Sequence, residues 1–205
     1  MNTWEEVYSQ ARQECKICRC CPTCNGKACR GETPGPGGKG SGSAFVRNVE
    51  MLEKVMIVMD TITSNEEVDT SSDFFGVSVA LPVYAAPISG IRQNYGADMS
   101  EMEYTEAVVS GCEAVGTVAF TGDGKIDSMF KEPMSVLGRH GGHGVPTIKP
   151  WAEGHMTGAS NLVNESSLPS NGIRHRRQRL SNLRNSDVPV GFKDVDALKQ
   201  LCQRA

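Results

Sequence analysis

The chain has 205 residues, of which 39% are hydrophobic and 22% are charged, and its formal net charge at pH 7 is −3. This composition is typical of a globular protein and excludes a disordered one, and the mild negative charge gives no reason to expect a nucleic-acid partner. No apolar run reaches the roughly 18 residues that a membrane span needs, and the N-terminus lacks the apolar stretch of a secretory signal. We therefore expect a cytoplasmic protein with no membrane partner.

Residues 1–75 are predicted to be an N-terminal segment that is helical in part and rich in cysteine and glycine. Residues 1–14 have the pattern of a helix with acidic residues near its start. Residues 31–44 are too rich in glycine and proline to form a regular helix or strand. Apolar residues recur at helical spacing over residues 45–62, which predicts a second helix.

Six cysteines lie close together in this segment, with the spacing C-x₂-C-x-C-C-x₂-C-x₄-C. In a reducing compartment such a cluster predicts metal binding or redox chemistry before disulfides. Thiolates at this spacing can converge on one soft metal ion, either zinc or the iron of an iron–sulfur cluster. The favoured ligands are Cys15, Cys18, Cys21 and Cys24, with Cys29 as a further candidate. The alternatives are reduced cysteines packed in a loop and a redox-sensitive pair.

Residues 76–205 are predicted to alternate between strands and helices. The predicted strands are 81–88, 117–121 and 145–149, and the predicted helices are 98–116, 126–140 and 191–203. Pro133 is expected to kink or split the second helix. Strands and helices that alternate with short links favour parallel βαβ units, which agree with either a doubly wound sheet or a (β/α)₈ barrel.

Three shorter motifs have a plain interpretation beside a functional one. HGGHG at 140–144 is typical of a flexible turn before a strand more than of a catalytic histidine pair. TGDG at 121–124 follows a strand, where it is either a cofactor-facing loop or an ordinary βα turn. IRHRRQR at 173–179 has no interleaved aromatic residues, so it favours a solvated stretch over a nucleic-acid patch.

Four segments resemble, in order, the N-terminal part of bacterial FMN-dependent α-hydroxy-acid oxidising proteins, which are related to glycolate and lactate oxidases. They read CPTCNGKACRGETPGPGGKGSG, LPVYAAPISG, EYTEAVVSGCEAVGTVAFTGDG and GVPTIKPW. The resemblance implies a (β/α)₈ TIM barrel with FMN at the C-terminal mouth of its strands. The implied fold of this chain is therefore α/β, with a partial barrel of about the first three to four βα units after the Cys-rich segment.

The resemblance also implies which residues contact FMN. The end of the first barrel strand would lie against the flavin ring, the second strand would present one threonine, and the third would present a threonine and a lysine. The implied residues are Ala86, Pro87, Ile88, Ser89, Thr121, Thr147 and Lys149. Backbone N–H groups and a lysine near the ring stabilise reduced flavin.

The second half of the family's site has no counterpart here. The family's catalytic base is a histidine in a Ser-Asn-His-Gly-Gly-Arg type segment, whose arginine binds the substrate carboxylate, and later glycine-rich loops hold the phosphate. None of these segments follows residue 151, and residues 156–180 depart from the family pattern. One codon choice for IRHRRQR, read one base later, encodes Ser-Asp-Ile-Asp-Ala-Ser, which suggests a local frameshift.

These observations predict a truncated oxidoreductase. Its intact relative would convert a small 2-hydroxy acid to a 2-oxo acid, whereas this chain is expected to bind FMN weakly or not at all, to have no catalytic residue and to be inactive alone. Open strand edges predict aggregation or pairing with another chain, a homo-oligomer included. The alternatives are a zinc or iron–sulfur module on a non-catalytic barrel platform, a non-functional gene product, and, within the flavin class, an FMN-dependent isopentenyl-diphosphate isomerase type.

Overall fold

The computed structural model describes residues 3–32, 40–62, 66–74, 77–149 and 196. The chain divides into two compact units. The first unit comprises residues 1–69 with 91–98, and the second comprises residues 70–90 with 99–205. The first unit thus includes the short segment 91–98, which lies within the range 76–205 of the predicted second domain.

The described part of the first unit contains three helices. They are α1 (Trp4–Glu14), α2 (Ser43–Leu52) and α3 (Ile91–Tyr95). The helix predicted for the first residues is confirmed, and a capping box starts it, because Thr3 and Glu6 each accept a hydrogen bond from the other's backbone N–H.

The helix predicted to run to residue 62 ends at Leu52, so that prediction was wrong over the second half of its range. The residues that follow include the apolar run Val55–Met59, which is exposed and has no regular structure. Five consecutive apolar residues would surround a helix instead of forming one face, and the β-branched side chains among them disfavour a helix further.

The second unit begins with a hairpin that the sequence did not reveal. Strands β1 (Ser72–Phe74) and β2 (Val77–Val79) pair antiparallel, and Ser72 is opposite Val79. Each strand has only three residues, which is too short for a period-two pattern to stand out.

A parallel sheet of three strands follows. It contains β3 (Ala85–Ile88), β4 (Ala119–Thr121) and β5 (Val145–Pro146), in that spatial order. Both neighbouring pairs are parallel, which confirms the predicted βαβ units. The strands are shorter than predicted: Leu81 and Val83, expected in a buried strand, are exposed and precede β3.

Two helices connect these strands, α4 (Glu101–Ala114) and α5 (Ser128–Arg139). The predicted Ser100 cap is confirmed, since its hydroxyl accepts from the Glu103 N–H and the Glu103 carboxylate accepts from the Ser100 N–H. Pro133 is buried within α5, and the helix continues through it, so of the two expected outcomes, a kink or a split, the split does not occur.

The core of the second unit lies where these two helices pack on the sheet. Its most buried members include Val109 of α4, Ala119 of β4, and Val136 and Leu137 of α5. These contacts hold the strands so that their carboxyl ends meet at one edge of the sheet. The described residues thus have an α/β architecture with three parallel strands.

Two predicted regions lie outside the described residues. They are the irregular stretch 156–180 and all of the predicted helix 191–203 except Asp196, which is helical. Within the described ranges, no helix has the length and apolar character that crossing a membrane requires.

Candidate functional site

The candidate site is the carboxyl edge of the β3-β4-β5 sheet. Ligands of parallel α/β proteins bind at this edge, because the loops that follow each strand gather there. Ser89 follows β3, Thr121 ends β4, and Thr147 follows β5. All three residues are buried.

Asp123 connects the three strand ends. Its backbone carbonyl accepts a 2.6 Å hydrogen bond from the Ser89 hydroxyl, and its carboxylate accepts a 2.7 Å bond from the Lys149 backbone N–H. The residue is only 3% exposed. A buried carboxylate requires hydrogen-bond donors to offset its lost hydration, and the Lys149 amide is one of them.

The glycines on either side of Asp123 are needed by the protein's own packing. A Cβ atom added at Gly122 would lie 2.5 Å from the Ser89 Cβ, and closer still to the Ile88 carbonyl, so the ends of β3 and β4 are in close approach. A Cβ atom at Gly124 would meet the Met129 side chain. Gly122 therefore allows the backbone after β4 to approach the end of β3, and Gly124 leaves room for the Met129 side chain.

Thr147 has a feature that invites a ligand. Its backbone N–H donates to the Thr121 carbonyl at 3.2 Å, as in a parallel ladder. Its hydroxyl is buried and has no hydrogen-bond partner among the described residues, and the residue as a whole is 2% exposed. A buried hydroxyl without a partner costs about 1–3 kcal/mol, which a ligand that bonds to it would recover.

The structure brings together four of the seven residues predicted to contact FMN. Ser89, Thr121, Thr147 and Lys149 all lie at the carboxyl edge around Asp123. The remaining three belong to β3 itself, and they are Ala86, Pro87 and Ile88. Sequence reasoning quoted the TGDG motif but did not single out Asp123, although an acidic residue directly after a buried strand was the available signal.

The predicted metal ligands lie in the first unit, and none of Cys15, Cys18, Cys21, Cys24 and Cys29 is in a disulfide. Nowhere in the described ranges do three or more His, Cys, Asp or Glu side chains form a group that could hold a metal ion. Zinc or iron–sulfur binding therefore finds no support in this geometry.

Cys20, which was not among the predicted ligands, contacts Ala11 and Cys18. Its Sγ donates to the Ala11 carbonyl at 3.4 Å, and its backbone N–H donates to the Cys18 Sγ at 3.4 Å. Burial, followed by a hydrogen bond with the Cys15 thiol, raises the pKa of Cys20 to about 12. This thiol is therefore held in its protonated form at neutral pH.

The histidines of HGGHG are bound within the protein, as the plain interpretation of that motif favoured. His140 bonds through its two ring nitrogens to Glu106 and Glu113, at 2.7 Å each, and the hydrogen bonds that it donates to these carboxylates raise its pKa above the usual range. His143 bonds to the Thr117 carbonyl. These contacts attach the end of α5 to α4, away from the candidate edge.

Comparison with known proteins adds one match to this geometry. Residues 36–129 match the FMN-dependent dehydrogenase family. The match covers slightly less than half of the chain and includes β3, α4 and β4. It supports the FMN-dependent dehydrogenase and oxidase class at a coarse level, and that family implies FMN as cofactor. No curated protein and no solved structure matches the chain.

The candidate edge fits such a cofactor. The matched segment supplies the ends of β3 and β4, and the end of β5 adds a buried hydroxyl without a partner among the described residues. Lys149, two residues after Thr147 in the chain, is partly exposed and brings a positive charge to this edge. The residues that would hold FMN are therefore those at the ends of the three strands.

Proposed function

We propose that this chain supplies the first βα units of an FMN-dependent oxidoreductase and binds the flavin against the carboxyl edge of β3, β4 and β5. One observation supports this above all. The segment that matches the FMN-dependent dehydrogenase family ends its strands at the edge where the Thr147 hydroxyl is buried without a described partner.

The residues of this edge have distinct roles in the proposal. The backbone after β3 and β4 and the Thr147 hydroxyl would hold the flavin, and Lys149 would supply a positive charge to stabilise its reduced form. FMN, when bound, supplies the acceptor for the two electrons that a 2-hydroxy acid loses as it becomes a 2-oxo acid. The 2-hydroxy acid is the substrate class that the resemblance implies.

We further propose that the chain binds FMN weakly and does not turn over by itself. A general base must lie within reach of the proton that it removes. The sequence contains no Ser-Asn-His-Gly-Gly-Arg type segment. His140, which begins the similar HGG triplet, has both ring nitrogens engaged by Glu106 and Glu113 on α4.

The test is a titration of the purified chain with FMN, followed by the quenching of flavin fluorescence. We expect a weak but saturable Kd, which Thr147→Val raises by about threefold to tenfold, since a single neutral hydrogen bond contributes about 0.5–1.5 kcal/mol. The matched lysine variants are Lys149→Met, which should weaken binding, and Lys125→Met, an exposed control that should not.

Turnover is tested on the same samples. FMN-loaded protein is mixed anaerobically with lactate, glycolate or mandelate, and the flavin absorbance is followed. We expect no bleaching within the mixing and ageing times of the experiment. Absence of saturable FMN binding would refute the proposed site, and bleaching by a 2-hydroxy acid would refute the proposed inactivity.

Self-association is a further part of the proposal. The run Val55–Met59 of the first unit is exposed, and Ile57 and Val58 are more than 90% exposed. In the second unit, β3 and β5 each have an edge with no partner strand in the described part of the chain. Such surfaces favour pairing with a second copy. Sedimentation velocity should show dimers or larger species, and a monomer at 50 μM or so would contradict this expectation.

A further inference from the structure

The carboxylate of Asp123 occupies a position that main chain normally fills. In a parallel ladder, alternate N–H groups of one strand donate to alternate carbonyls of its neighbour. Because the Thr147 N–H donates to the Thr121 carbonyl, the next bond of a regular ladder would run from the Lys149 N–H to the Asp123 carbonyl.

That bond is made by the side chain instead. The Lys149 N–H donates to the Asp123 Oδ2 at 2.7 Å, while the Asp123 carbonyl accepts the Ser89 hydroxyl at 2.6 Å. The main chain of β4 leaves the ladder after Thr121, at the glycine that lies against the end of β3. The carboxylate therefore extends the ladder by one hydrogen bond after the backbone has turned away.

This bond is one of those that hold the end of β5 against β4. The strand itself has two residues, Val145 and Pro146, and proline has no N–H to donate. After the Thr147 N–H, the bond from Lys149 to Asp123 is the next one that ties this segment to β4. Loss of the carboxylate would remove a bond that holds the backbone between Thr147 and Lys149, the two β5-side residues assigned to the flavin.

We propose that Asp123 is a positioning residue for the flavin site: its carboxylate fixes the backbone of Lys149 and so sets the placement of Thr147 and Lys149 at the cofactor edge. This inference rests on the proposed function. Asp123 touches neither cofactor nor substrate in this role. It acts through the backbone amide to which it is bonded.

Four variants of the full chain test the role. Asp123→Ala removes the acceptor, and Asp123→Ser keeps a polar group that is too short to reach the Lys149 amide. Asp123→Asn keeps an oxygen acceptor of the same length and should rescue. Asp127→Ala is the control, because this nearby aspartate is exposed and pairs with Lys131 on the helix surface.

The first readout is amide hydrogen exchange at Lys149 in the ligand-free chain, resolved by NMR. We expect exchange at least tenfold faster in Asp123→Ala and Asp123→Ser, and within about twofold of wild type in Asp123→Asn and in the control. If Asp123→Ala does not fold, Asp123→Ser carries the comparison. Unchanged Lys149 exchange in a folded variant of either kind overturns the extended ladder.

The second readout is the Kd for FMN, with the melting temperature of each variant measured alongside. A positioning role predicts a Kd raised about tenfold in Asp123→Ala or Asp123→Ser and restored in Asp123→Asn. A role in stability alone would move the melting temperature and leave the Kd of the folded protein unchanged, and that result overturns the proposal. If the wild-type chain does not bind FMN, both the proposed function and the positioning role are refuted. If the wild-type chain binds FMN but the Asp123 variants bind it with the same Kd, only the positioning role is refuted.

Discussion

Replacing Gly122 by alanine should disrupt the candidate edge more than any other single methyl group added to this loop. The new Cβ atom would lie 2.5 Å from the Ser89 Cβ and would overlap the Ile88 backbone, whereas ordinary contacts are 3.4–4 Å. Backbone cannot rotate away as a flexible side chain can, so the ends of β3 and β4 must separate by roughly 1 Å. Overpacking of this kind costs about 1–3 kcal/mol.

The displacement also threatens the hydrogen bond from Ser89 to the Asp123 carbonyl, which is 2.6 Å long. Its loss adds about 0.5–1.5 kcal/mol, so we expect Gly122→Ala to lower the free energy of unfolding by about 2–4 kcal/mol. The assay is urea denaturation of the ligand-free chain, followed by circular dichroism.

The control is Gly111→Ala. This glycine lies within α4, and an added Cβ atom would meet nothing within 4 Å. Removing a glycine from a helix interior should raise the free energy of unfolding by about 0.5–1 kcal/mol. If Gly122→Ala lowers the free energy of unfolding by less than about 0.5 kcal/mol, the close approach of β3 and β4 does not constrain the fold.

Three further outcomes follow from the described contacts. Leu137→Ala, at a fully buried position of the core, should lower the free energy of unfolding by about 2–5 kcal/mol in the same urea assay. The pKa of His140 is raised in the folded chain, so its protonated form stabilises the fold. This stabilisation should be complete below the pKa of an unfolded histidine, about 6.5, and should be lost as the pH rises through the higher pKa of the folded chain. The difference in urea midpoint between wild type and His140→Gln should therefore shrink from pH 6 to pH 9, and a constant difference would contradict the ion-pair account. Cys20, whose pKa is about 12, should react with iodoacetamide at pH 8 more slowly than any other cysteine of residues 15–29, as measured by peptide mass spectrometry, and early labelling there would contradict the burial described.

The elements that the sequence revealed are those whose signals are local. Helix α4 begins directly after the capping residue Ser100, so its start could be read from the sequence. The β1–β2 hairpin has three residues in each strand and no such signal. Helix α2 ends at Leu52 because the apolar run that follows it cannot form a single helical face and contains β-branched residues, and this local signal was present in the sequence.

The candidate site also contains residues that the sequence could predict and one that it could not. Ser89, Thr121, Thr147 and Lys149 came from a family resemblance, which relates this chain to proteins whose cofactor is known. Asp123 has its role only because Lys149, 26 residues later, presents an amide to it. A contact between two loops that are distant in sequence leaves no periodicity or spacing, so one sequence could not reveal it.

The carboxyl edge of the β3-β4-β5 sheet is already held in place in the ligand-free chain, and the Thr147 hydroxyl is the exception among its described polar groups. The close approach at Gly122 and the two bonds of Asp123 fix the three strand ends, while the Thr147 hydroxyl remains buried without a partner among the described residues. Burying such a hydroxyl destabilises the ligand-free chain, and replacing it by a methyl group of similar volume removes that cost. Thr147→Val should therefore raise the free energy of unfolding without ligand and weaken FMN binding at the same time. A residue kept only for packing would show the first effect without the second, so the pair of measurements separates a ligand site from an imperfect core.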